Sequence, residues 1–114
     1  GNWGADHTQD IDSITFDVVD YETGISRVFI TDPVYRLAEM SGNTITLDVG
    51  DIDLTQVTLQ VITKSPYAMV YPNSDMNAPT PGGEEFTADF SVADPHFLVE
   101  SFGKTTEKYS LVFN

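Results

Sequence analysis

The chain has 114 residues, 18 acidic side chains against 5 basic for a net charge of −13, and no cysteine. Its length suits one domain of ordinary size, and the missing thiols exclude disulfides, thiolate metal sites and a cysteine nucleophile. The charge argues against nucleic acid and anionic membrane surfaces as partners, since phosphate binding needs clustered Lys and Arg.

Residues 1–10, GNWGADHTQD, are polar apart from Trp3 and show no period, so they read as a flexible leader or linker. A single domain is expected over 11–114. In SITFDVVD, Ile14, Phe16 and Val18 share one face, the mark of a half-buried strand. YETG (21–24) reads as a turn, and ISRVFI (25–30) as a second strand that ends at Asp32-Pro33. VYRLAEM (34–40) suits either a helical turn or a hairpin arm, cut short by Ser41-Gly42-Asn43. NTITLDV then alternates cleanly, with Ile45, Leu47 and Val49 on one side, and Asp51 to Thr55 forms a corner. QVTLQVITK (56–64) sets Val57, Leu59 and Val61 on one face.

YAMVY (67–71) predicts another short strand. NSDMNAPTPGGEE (73–85) follows as a polar loop, longer than the usual connection of about 4–6 residues. FTADFSV (86–92) alternates less regularly. HFLVES (96–101) and EKYSLVFN (107–114) read as a hairpin closed by FGKTT, with Tyr109, Leu111 and Phe113 on one face. Seven to eight short strands with frequent turn signals and no sustained helical period predict an all-β, antiparallel β-sandwich, with a barrel as the competitor. No apolar run approaches the roughly 18 residues of a membrane span.

Two stretches carry a resemblance: ITLDVGDIDLTQVTLQVITKSPYAMVYPNSD and DFSVADPHFLVESFGKTTEKYSLVFN. With Leu54 in the acidic corner, Ala68 and Val70, Pro72-Asn73-Ser74, Phe90-Ser91, the Gly103-Lys104 turn and the closing Tyr109-Ser110-Leu111-Val112-Phe113, residues 44–114 resemble the immunoglobulin-like domains of Bacteroidetes surface lipoproteins. The long stretch 76–85 and VYRLAEM depart from the shortest members. The resemblance implies an immunoglobulin-like sandwich in an exported, lipid-anchored, non-enzymatic module of a glycan-using bacterium, at the outer membrane, the cell surface or in the periplasm. It supplies no catalytic residue. The acidic stretch from Asn2 to Asp12 suits a linker behind a lipidated cysteine, so membrane contact is expected only through such an anchor.

Three sites invite weighing. In DVGDIDL, Asp48, Asp51 and Asp53 could offer carboxylates to Ca2+, but EF-hand spacing is absent and no glutamate closes the loop. The plainer reading is that Asp48 faces solvent while Asp51 and Asp53 cap the corner, so no cofactor is expected. If Ala68 and Val70 face the core, Tyr67, Met69 and Tyr71 form an outward stripe able to stack on sugar rings or anchor a protein. The opposite reading has them covered or in the core. His96 beside Asp94-Pro95 suggests a base, yet no G-x-S-x-G elbow supplies a serine, and it reads as a surface histidine at a strand entrance. The expected function is a spacer or an adhesion module whose partner is a protein or polysaccharide at the cell surface. The alternative is a carbohydrate-binding module using the surface tyrosines; a calcium-assisted adhesin and a small hydrolase rank below.

Overall fold

The structure is a computed structural model that describes residues 21–114. The leader with Trp3 and His7, and the strand expected around Ile14, Phe16 and Val18, lie outside the described residues. Ten strands follow: β1 (Ile25–Asp32), β2 (Arg36–Leu37), β3 (Glu39–Ser41), β4 (Thr44–Leu47), β5 (Val57–Thr63), β6 (Met69–Pro72), β7 (Thr80–Pro81), β8 (Glu85–Ala88), β9 (His96–Glu100) and β10 (Thr106–Phe113). They form two sheets, ordered β2-β1-β5-β8 and β3-β4-β10-β9-β6-β7. Every pairing described is antiparallel except that of β4 with β10. The chain is therefore nearly all-β, in an arrangement compatible with a β-sandwich.

Ten segments exceed the seven or eight expected because β2, β3 and β7 are only two or three residues long. VYRLAEM takes the hairpin reading rather than the helical one, but it is divided between two hairpins. Its first half pairs with β1 as β2, and its second pairs with β4 as β3. Between them Ala38 is buried, and its N–H donates to Val28 O at 2.8 Å, so the chain passes from one sheet to the other there. Without a sustained period in the sequence, only the partners available on each side decide its conformation. Residues 21–23, expected as part of a turn, are helical.

Where alternation is clean, burial follows it. Val57, Leu59 and Val61 of β5 are fully buried from solvent, as are Ile45 and Leu47 of β4 and Phe97 and Val99 of β9. Together with Val28 and Ile30 of β1, Val70 of β6, and Tyr109 and Leu111 of β10, they make one apolar cluster to which both sheets contribute. Each such aliphatic or phenylalanine side chain contributes about 1.5–3 kcal/mol when fully buried. Phe90 joins the cluster from beyond the end of β8; its N–H donates to Leu54 O at 2.8 Å, and its ring lies 6.1 Å from that of Phe113. Leu54 itself packs against the core, half-buried, from the acidic corner.

The long polar stretch 73–85 is a tethered crossover. Asp75 N donates to Pro72 O at 2.8 Å and Ala78 N to Asp75 O at 3.1 Å, after which β7 pairs with β6. Gly82 N then donates to Ala68 O at 3.0 Å and Gly83 N to Val61 O at 2.7 Å, so adjacent glycines hydrogen-bond to segments of both sheets. Gln60 Nε2 donates to Gly83 O at 2.9 Å, and β8 departs to pair with β5. The glycine pair has two physical causes. A Cβ on Gly82 would lie 1.9 Å from Thr63 Oγ1, and Gly83 has φ +90°.

Gly82→Ala should therefore lower stability by about 1–3 kcal/mol, through overpacking against Thr63. Gly103→Ala, where an added Cβ meets nothing nearer than Ser101 Oγ at 3.8 Å, should change it by less than about 0.5 kcal/mol. Urea denaturation of the two variants checks this, and equal costs would mean that Gly82 does not run against Thr63.

Candidate functional site

At one end of the fold three chain segments meet. The β5–β6 turn carries Ser65 and Tyr67, the β9–β10 turn carries Phe102, and the helical residues before β1 supply Tyr21 and Glu22. These five side chains line a pocket of about 490 Å³. Its aromatic walls are exposed, Tyr21 by 47 %, Tyr67 by 71 % and Phe102 by 83 %. The Tyr67 and Phe102 rings meet edge to face, with centroids 6.3 Å apart and planes at 63°. Such pairs add roughly 0.5–1.5 kcal/mol beyond their area burial, which helps to hold one wall in shape.

Each segment is fixed by local chemistry. Thr63 Oγ1 donates to Ser65 O at 2.8 Å, and Tyr67 N donates to Ser65 Oγ at 3.2 Å, so a buried serine shapes the first turn. Ser101 plays the same part in the second, where its amide donates to Thr105 O at 2.8 Å and its Oγ accepts from Thr105 N at 3.1 Å. That turn also holds Lys104 at φ +71°. The helical residues are held by Tyr109, whose hydroxyl donates to Thr23 O at 2.8 Å while its ring stacks on Phe97 at 5.3 Å. Lys64 N adds a bond to Gly24 O at 3.0 Å.

The YAMVY segment shows what alternation alone leaves open. Ala68 and Val70 are buried in the core, so Tyr67, Met69 and Tyr71 project the other way. Only Tyr67 is well exposed; Met69 is half-buried. Tyr71 is buried outside the core cluster, with its hydroxyl donating to Glu100 Oε1 at 3.0 Å, and so it belongs to no exposed stripe. Lys104 Nζ lies 3.7 Å from the same carboxylate oxygen. Burial first, and then the Glu100 hydrogen bond and charge, push the Tyr71 phenol above its ordinary pKa. Phe102 and Tyr21 complete the pocket instead. A phenylalanine set beside a glycine in a two-strand turn, where no core needs it, was the signal for Phe102.

The acidic corner is differently built. Asp53 Oδ1 accepts from Thr55 N at 3.0 Å and from Thr55 Oγ1 at 2.6 Å, which closes an Asx turn. Those two bonds, the hydroxyl's first, hold the Asp53 carboxyl below its usual range. Asp48 faces solvent as expected; Asp51 is exposed too, so the cap expected of Asp51 and Asp53 together is made by Asp53, with Gly50 at φ +71° between the two exposed aspartates. Among the described residues no three His, Cys, Asp or Glu side chains gather into a group that could hold a metal ion. Asp89 repeats the device at Ser91, whose hydroxyl and amide bonds lower its carboxyl.

The pocket thus offers aromatic faces and edges, two phenols, a hydroxyl and one carboxylate. That set can stack on a ring-shaped ligand and hydrogen-bond to its edge. Among the described residues the lining holds one carboxylate, Glu22, where glycoside cleavage needs a pair. Comparison with known protein families, curated proteins and solved structures finds no match for this chain.

Two outcomes follow. Tyr71→Phe should cost about 1.5–2 kcal/mol, because it removes a buried bond to a charged acceptor, whereas Tyr67→Phe, which keeps the ring contact with Phe102 and removes only the hydroxyl of an exposed residue, should stay within about 0.5 kcal/mol of the parent; urea denaturation separates them. Asp53 and Asp89 have folded pKa values below their unfolded ones, so their contribution is present above about pH 3.9 and is lost as pH falls through the folded values. Melting temperature should fall as pH drops below about 4, less steeply in the Asp53→Asn, Asp89→Asn double variant; identical slopes would count against this origin.

Proposed function

We propose that the chain is a non-enzymatic, immunoglobulin-like module of an exported bacterial surface lipoprotein, and that its work is adhesion through the aromatic pocket. The observation that carries the reading is the convergence of Tyr21, Tyr67 and Phe102, all exposed, from three separate segments at one end of the fold. Exposed aromatic clusters of this kind are costly to leave in water and mark binding surfaces.

The immunoglobulin-like assignment is supported by connectivity. In that sandwich the second and fifth strands pair in one sheet, while the third, sixth and seventh form the other. Here β5 pairs with β8, and β6, β9 and β10 are consecutive neighbours in the second sheet. Export and the lipid anchor rest on the resemblance over residues 44–114.

One observation favours a polysaccharide as the ligand. The pocket combines stacking faces with hydroxyl and carboxylate groups at Ser65, Tyr67 and Glu22, the mixture that suits a sugar ring with an apolar face and a hydroxylated edge. Retention on immobilised plant and host polysaccharides, compared for the parent, Tyr67→Ala and Phe102→Ala, tests this. At least one polysaccharide should retain the parent, and each variant should weaken binding by about tenfold or more, or 1.4 kcal/mol. Retention that both variants keep would remove the pocket from the reading, and no retention on any polysaccharide would leave a protein partner or a spacer role.

A further inference from the structure

Away from the pocket, the turn after β6 lies against the start of β9. Asn73 and Ser74 both take left-handed conformations, with φ +50° and +60°, which non-glycine residues adopt at a cost. The turn is bolted in place: Asn73 N donates to His96 O at 2.8 Å, Asn73 Nδ2 to Asp89 O at 2.8 Å, and His96 N to Asn73 Oδ1 at 3.3 Å. This geometry sets Ser74 Oγ 2.5 Å from His96 Nε2, although 22 residues separate them in sequence.

The tautomer follows from the other ring nitrogen. His96 Nδ1 lies 2.7 Å from Asp94 O, a carbonyl that can only accept, so Nδ1 carries the proton of the neutral ring. Nε2 then presents its lone pair, and Ser74 O–H donates to it. Asp94 Oδ2 stands 3.9 Å from Nδ1 and is tied to Lys108 Nζ at 2.6 Å, which holds its carboxyl ionised and below the usual range. A serine hydroxyl, an accepting imidazole and a carboxylate behind it are the parts of an activated nucleophile.

We infer that Ser74 is a covalent acylation site, at which an activated ester transfers its acyl group to Oγ with His96 as general base. The Oγ–acyl bond forms as the bond from acyl carbon to leaving oxygen breaks. The Ser74 proton passes to His96 Nε2 and then to the departing oxygen. This goes beyond the adhesive reading and does not depend on the pocket. Capture of one acyl group per chain is the expected outcome rather than rapid turnover. Turnover needs amide donors aimed at the oxyanion, and the amides on either side of Ser74 are already committed, Asn73 N to His96 O and Asp75 N to Pro72 O.

The test is incubation of the whole chain with p-nitrophenyl acetate, followed by peptide mapping of O-acetylserine over time. Ser26, exposed on β1, is the reference within the same molecule. Ser74 should acetylate at least about 100-fold faster than Ser26, the lower range of general-base assistance. His96→Gln, which keeps a polar partner but cannot take up a proton, should bring Ser74 to within about tenfold of Ser26. Equal rates at the two serines of the parent chain, which need no variant, would overturn the proposal, as would an undiminished Ser74 rate in folded His96→Gln.

Discussion

A strand in the middle of a sheet must satisfy hydrogen bonds along both edges, and the rest of this fold depends on how β10 does so. One edge pairs antiparallel with β9, its neighbour in sequence, from Thr106↔Glu100 to Ser110↔His96. The other pairs parallel with β4, far away in the chain, from Ser110↔Thr44 to Phe113↔Leu47. Asn114 N then donates to Leu47 O at 2.9 Å, and Val49 N and Gly50 N both donate to Asn114 O, so the end of the sequence closes the acidic corner. Tyr109 and Leu111 bury between the sheets from the same strand, and the Tyr109 hydroxyl reaches Thr23. Removing β10 would split the sheet, leaving β4 paired only with the three-residue β3, β9 only with β6, and the helical residues at the pocket without their buried hydrogen bond.

The two ends of the fold are built by different chemistry. At the pocket end, turns are shaped by buried serines and a buried tyrosine, which leaves aromatic side chains free to project. At the opposite end, acidic residues shape the turns, with Asp53 and Asp89 each folding back on a hydroxyl residue two positions later. This division explains how a chain of net charge −13 carries an apolar pocket. Among the described residues many carboxylates are solvated or occupied in turns, and only Glu22 lines the pocket.

Much of the strand content was legible from sequence because period-two alternation is a direct record of which side meets water. Val57, Leu59 and Val61, and again Tyr109 and Leu111, are buried where the alternation puts them. The hairpin reading of 34–41 was one the sequence offered, but its division between two sheets and the β7 segment were not legible. Their short pairings arise from partners brought close by the larger sheets and leave no period of their own. Tyr71 marks the same limit. Alternation says that it points away from the core, but only the placement of Glu100 and the surrounding chain makes that outward position buried.

The sequence by itself determined the class of fold, the absence of thiol chemistry and the part of Asp53 as a turn residue, since each depends on residue type and local spacing. Tertiary structure alone decided which aromatics meet. Tyr21, Tyr67 and Phe102 lie on three turns whose proximity follows from sheet pairing, so their spacing in the chain carries no sign of it. The same holds for Ser74 and His96, joined because β6 and β9 are antiparallel neighbours and the turn after β6 folds back on the start of β9. Side-chain alternation is written residue by residue, whereas contact between distant turns is set by register, a property of paired strands that neither strand carries alone.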